Sequence, residues 1–153
     1  MSTVFFDSKG IISQEFTPQG QTITGEYYLG VLNCLLKQIQ RVRPEYKGQG
    51  SWSLLHNNVS AHRCLGVRRF LAKKIVTVID HPPYLPDLAP CDFWLFPKLK
   101  ISIKSHYYAF ISDIQASVTD FLKSLQRNDY QACFKQFFNR FSFCIDSKEN
   151  YFE

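Results

Sequence analysis

The heptad HNNVSAH, residues 56–62, follows the short apolar run SWSLL (51–55) and precedes a stretch with helical spacing. It holds two histidines six positions apart, with two asparagines behind the first, and only the histidines can act as acid or base. The heptad therefore reads in three ways: as an active site, as a damaged one, or as a polar loop. Its surroundings bear on the choice. SWSLL, bounded by Gly50, has the length of a buried strand. Ser60 or Asn58 caps a helix over roughly 61–74, with Leu65, Val67, Phe70 and Leu71 inward. IVTVI (75–79) is β-branched and reads as the next strand. The heptad thus falls at the end of a strand, where α/β folds gather functional groups.

Working outward, TVFF (3–6) and IISQEF (11–16) flank DSKG and predict an antiparallel hairpin over 3–16, with Asp7 as a turn residue. From Thr24 to Arg43, Tyr28, Val31, Leu32, Leu35, Leu36, Ile39 and Val42 recur in steps of three and four, one face of a helix stopped near Pro44. DHPPYLPDLAPCD (80–92) holds four of the seven prolines and is irregular. DFWLFPKLK (92–100) begins helical, with Asp92 near its N-terminus. Two further helices cover about 111–125 and 129–145; the first has apolar positions 111, 114, 118, 121, 122 and 125, the second 130, 134, 137, 138 and 141. No repeat, low-complexity tract or linker interrupts the order, so the expectation is one α/β domain with helices packed on a mixed sheet.

Composition narrows the class. At 153 residues, 45% hydrophobic with fourteen Phe, the chain is long enough for a real core and too apolar for disorder. Five cysteines (34, 64, 91, 133 and 144) form an odd set without a C-x-x-C pair, which argues against a disulfide framework or structural zinc and for a reducing compartment. No signal-peptide pattern opens the chain, and no apolar run reaches membrane-spanning length. The formal charge of +5 suits a polyanionic partner without demanding one.

The residues themselves carry a resemblance. HNNVSAH, then PPYLPDLAPCDFWLFPKLK (82–100), is similar to the catalytic core of Tc/mariner DNA transposases, on the mariner side. That pattern runs His-Asp-Asn-Ala-x-x-His, then Pro-Pro-Tyr-Ser-Pro-Asp-Leu-Ala-Pro-x-Asp. Here 34 residues (58 to 91) separate Asn57 from Asp92, the spacing of the family's second and third catalytic aspartates. The likeness continues through VFFDSKGII (4–12), TPQGQTITGEYY (17–28), RVRPEYK (41–47) and ENYFE (149–153), and so covers essentially residues 1–153. It implies an RNase H-like mixed sheet flanked by helices. It also implies a site in which three carboxylates hold two Mg²⁺ or Mn²⁺ ions for in-line attack on DNA phosphate.

The departures from that pattern matter more. Asn57 stands where the family has its second aspartate, and an amide oxygen brings no negative charge to a metal. Val59, Ser60 and Leu85 also replace the usual Ala, Pro and Ser. The family's first aspartate lies on a strand upstream of Met1, which leaves Asp92 as the remaining acid. The resemblance therefore implies a partial catalytic domain, truncated before its first, central strand, without transposase or nuclease activity. His56, Asn58, His62, Pro86 and Asp87 are read as structural motif positions, and His56, His62 and Cys64 match no zinc spacing. Without the first strand, 3–6 and 51–55 either pair with each other or leave open edges, for a four-stranded sheet at best and marginal stability.

The family's helix-turn-helix modules also lie upstream, so sequence-specific DNA recognition is not expected. Arg63, Arg68, Arg69, Lys73 and Lys74 after the heptad, with Lys98, Lys100 and Lys104 after Asp92, suit weak non-specific contact with DNA phosphates or merely a solvated face. The resemblance further implies a nuclear protein and a homodimer. An alternative is a domesticated module that binds host DNA or protein, since the family includes a fusion to a histone methyltransferase.

Overall fold

A computed structural model of the chain describes residues 2–46, 48–56, 60–79, 88–104 and 106–152, without the side chains of 144 and 147–152. Among the described residues, four strands and six α-helices follow in the order expected. Strand β1 (Ser2–Asp7) turns through Ser8 and Lys9 into β2 (Gly10–Phe16). The Asp7 carboxylate closes this hairpin by accepting from the amides of Lys9 (2.9 Å) and Gly10 (3.1 Å). Gly10 takes φ +136°, a backbone setting that side-chain-bearing residues avoid. Asp7 is thus a turn residue, as read from the DSKG sequence.

Helix α1 (Gly25–Val42) starts where Thr24 accepts a hydrogen bond from the Tyr27 amide (3.2 Å) and stops before Pro44. Its periodic face is its buried face, with Tyr28, Val31, Leu32, Leu35 and Ile39 all inaccessible. Leu54, Val67 and Leu71 complete the core around it, and Phe5, Ile12, Trp52 and Val78 pack on its margin. Strand β3 (Ser53–Leu55) leads through α2 (Ser60–Arg63) and α3 (Leu65–Lys73) to β4 (Thr77–Ile79). These two strands pair in parallel, Ser53, Leu54 and Leu55 opposite Thr77, Val78 and Ile79.

The architecture is of mixed β-structure flanked by helices, consistent with an RNase H-like fold. Among the described residues no single four-stranded sheet forms. Among the described residues β1 pairs with β2 and β3 with β4, in two separate two-stranded sheets. Open edges are therefore the alternative that applies, because both sheets contribute side chains to the α1 core without sharing a ladder.

The helix expected over 61–74 is broken at Cys64, whose extended backbone (φ −64°, ψ 156°) caps α3. Leu65 is 60% exposed, against the inward position expected for it, because it lies roughly 200° around α3 from Val67. Ile75 and Val76 are not strand but the end of α3. The Val76 amide bonds to the Leu71 carbonyl (2.9 Å) and the Ile75 amide to that of Ala72 (3.1 Å), with Ile75 at φ +57°. This is a Schellman termination with a β-branched residue where glycine is usual.

The chain divides into two compact units, residues 1–6 with 11–84, and residues 7–10 with 85–153. In the second, a π-turn (Cys91–Leu95) runs into α4 (Phe96–Lys104), followed by α5 (Ile111–Ser124) and α6 (Arg127–Phe152). Leu88, Trp94, Leu95, Val118, Leu122, Tyr130, Cys133 and Phe137 are its buried residues. Helix α6 runs past the 145 expected, since residues 146–152 contain no Gly or Pro to stop it. Ile111 and Phe138, expected inward, are exposed: Ile111 opens its helix, and Phe137 takes the inward direction beside Phe138.

Replacing Ile75 by glycine tests the strained termination. Relief of the left-handed penalty, less the added backbone freedom of glycine, should stabilise the chain by about 0.5–1 kcal/mol in urea unfolding. Little apolar burial is lost, because Ile75 is half exposed.

Candidate functional site

His56 leaves the end of β3, and His62 sits in α2. Six residues apart in sequence, their rings stack at 5.1 Å between centroids with 11° between planes. The third member comes from α1: the Tyr28 ring stacks on His62 at 3.9 Å and 22°, and its hydroxyl lies 2.8 Å from Nδ1 of His56. The two histidines flanking the heptad are thereby tied to one buried side chain of the central helix. Gly25, the first residue of α1, makes room for this junction; a Cβ there would stand 2.6 Å from the Cys64 sulfur.

Burial, with His62 as a second cause, lowers His56 from its ordinary value to about 4, and burial raises the Tyr28 phenol. Both groups are therefore neutral at pH 7. The imidazole faces lie against one another, with a phenol at Nδ1 of His56.

Asp92 lies in the first turn of the π-turn and is exposed. The widened turn has a local cause. Pro97 lacks an amide proton, and its ring would crowd the carbonyl four residues earlier in a regular helix. The Phe96 amide bonds instead to the Cys91 carbonyl, five residues back. The turn is gripped from α6: Trp94 meets Tyr130 edge-on at 5.3 Å, and the Arg140 guanidinium lies 4.3 Å from the Phe93 ring centre. Cys91, beside Asp92, is no nucleophile, since burial and then Asp92 and Cys133 push its thiol up to about 12.

Arg63 is exposed on α2, Arg68 and Arg69 on α3, and Lys98 and Lys100 on α4. The Lys98 ammonium also lies 5.8 Å from the Trp94 ring centre. Asn57, Asn58, Pro86 and Asp87 fall outside the described residues.

A divalent metal site needs several hard oxygen donors converging on one point. Among the described residues no group of three or more His, Cys, Asp or Glu is placed to hold a metal ion. The two motif histidines are stacked on one another, and Nδ1 of His56 is engaged by a phenol. No helix among the described residues is long and apolar enough to cross a membrane.

Tyr28 is the residue that sequence reasoning missed in this role. It was legible as a core position of α1, but nothing in the helical period marks a hydroxyl that reaches the heptad.

The fold is consistent with an RNase H-like one, and comparison with known proteins says what the chain is similar to. A family model described as "Transposase (partial DDE domain)" matches residues 1–48. The Mos1 mariner transposase of Drosophila mauritiana is 28% identical over 154 residues, covering all of this chain and 45% of that protein. Human histone-lysine N-methyltransferase SETMAR is 26% identical over 153 residues, covering all of this chain and 22% of that protein. The chain thus spans less than half the length of these relatives. The Mos1 catalytic domain solved with raltegravir and manganese superposes with a TM-score of 0.89 at 27% identity, over 95% of this chain and 74% of that one. A Mos1 paired-end complex with the left transposon end gives 0.87 at 27%, over 99% and 44%. The chain is accordingly a homologue of the Mos1 mariner transposase catalytic domain over most of its length.

The lowered His56 has a consequence for stability. On acidification the unfolded chain takes up a proton near pH 6.5 and the folded chain only near 4, so stability falls as pH drops through that window. After discounting for partial exposure, the loss should be on the order of 1–2 kcal/mol. Urea unfolding of the natural chain and of His56→Gln at pH 7 and pH 4.5 should show the smaller pH effect in the variant.

Proposed function

We propose that residues 1–153 are a partial, degenerate mariner-type transposase catalytic domain, without transposase or nuclease activity, that keeps weak non-specific affinity for DNA. The observation that carries this is Asn57, an amide in a His-x-Asn motif, with 34 residues (58 to 91) between it and Asp92. Carboxylates bring a metal both oxygen ligands and charge, and Asn57 supplies no charge. Loss of one member of a cooperative catalytic set costs about 10⁴ in rate, more than a residual activity survives. Mg²⁺ or Mn²⁺ is then the family's cofactor but not a productive one here, with Asp92 and Asn57 as its weakened positions.

The DNA contact is assigned to Arg63, Arg68 and Arg69, whose exposed guanidinium groups follow the heptad, and to Lys98 and Lys100 after Asp92. Homodimerisation and a nuclear location come with the mariner reading. A second reading is favoured by the match to SETMAR, where a homologous segment forms part of a protein named for histone methylation. In that reading the fold is a host interaction module, and a protein partner that binds saturably and displaces DNA would favour it.

Two measurements test the proposal. Calorimetry with Mn²⁺ should give no heat above dilution for the natural chain, and a supercoiled plasmid should remain un-nicked. Saturable binding accompanied by nicking would refute the inactive reading. A gain of Mn²⁺ binding in Asn57→Asp would trace the defect to that residue. Separately, anisotropy of a labelled duplex should give a Kd on the order of 10⁻⁴–10⁻⁶ M that weakens with salt. The double variant Arg68→Gln with Arg69→Gln should bind less tightly and lose about two from the salt slope.

A further inference from the structure

Tyr28 lies on the buried face of α1 with 2% of its surface exposed, so its hydroxyl has no ready access to bulk water. Among the described residues its hydrogen-bond partner is Nδ1 of His56, 2.8 Å away. That bond can be made in two ways. If His56 carried its proton on Nδ1 and donated to the phenol, the Tyr28 O–H would be buried with nothing to accept it, the costly arrangement. If the phenol donates to a bare Nδ1, both groups are satisfied and the imidazole proton sits on Nε2. Burial favours the protonated phenol, which keeps it a donor.

We infer that Tyr28 is the positioning residue of the two motif histidines: its hydroxyl fixes His56 as the Nε2–H tautomer while its ring, stacked on His62, holds the two together. His56 then offers a ligand a hydrogen-bond donor and no free lone pair. Such a nitrogen suits the oxygen of a phosphodiester and cannot ligate a metal cation without losing its proton. The phosphate assignment rests on the DNA-binding reading above; the tautomer and its cause do not.

The test is nitrogen-15 NMR of the histidine side chains in the full chain at pH 7, alone and with a short DNA duplex. Tyr28→Phe removes only the hydroxyl. Ile39→Val loosens the same core without touching the stack. The natural chain should show His56 with an unprotonated Nδ1 and a protonated Nε2. Tyr28→Phe should move both resonances toward the average of the two tautomers, and Ile39→Val should leave them in place. A proton on Nδ1 in the natural chain, or an unchanged His56 spectrum in Tyr28→Phe, would overturn the positioning role. Added duplex should shift the His56 Nε2–H resonance. If DNA binds and that resonance stays put, the phosphate contact is wrong and the tautomer assignment is untouched. If DNA does not bind at all, it is the DNA-binding reading that fails.

Discussion

The buried stripe of α1 is the constraint on which the first half of the molecule depends. Strands of three residues, such as β3 and β4, have too few ladder bonds to hold a sheet alone, and β1 and β2 form only a hairpin. What orders them is apolar burial against Tyr28, Val31, Leu32, Leu35 and Ile39. Each fully buried side chain of this kind contributes about 1.5–3 kcal/mol relative to exposure, while each short ladder contributes far less. The same stripe reaches the heptad, because its first buried residue is also the one that bonds His56 and stacks on His62. Core and motif are therefore not separable on this face.

Much of this was legible in the sequence wherever a period or a turn rule applied. The Thr24 cap, the α1 stripe and the Pro44 stop follow from spacing and cap chemistry, and the Asp7 turn from DSKG. What escaped was governed by local backbone events with no period. Leu65, the first helical residue after the break at Cys64, faces out, while Val67 and Leu71 stay in as expected. Ile75 has the composition of a strand residue but stands in a helix termination. Strand pairing was also out of reach, because register in a three-residue strand depends on the core beneath it. At the site, Asn57 and Asp92 were paired only through the resemblance to the mariner pattern, and Asn57 lies outside the described residues. The Tyr28 hydroxyl was not legible, since a phenol and a phenyl ring occupy a buried stripe equally well.

The neighbourhood of Asp92 shows how a backbone irregularity is kept. A π-turn is weaker than regular helix and persists where something else secures it. Here Pro97 offers no amide proton to the Phe93 carbonyl, and aromatic and cationic contacts from α6 brace the turn. The irregularity is thus a property of the second unit's own core and does not require a bound ion to explain it.

The division into two units has a spectroscopic consequence. The chain has two tryptophans, Trp52 at the margin of the α1 core and Trp94 among the buried residues of the second unit. Each indole reports on a different hydrophobic interior. A single fluorescence melting curve for this chain is then a sum of two local reporters, and its midpoint has a simple meaning only if both interiors give way together. Replacing either tryptophan with phenylalanine would leave the remaining one as a monitor of a single interior.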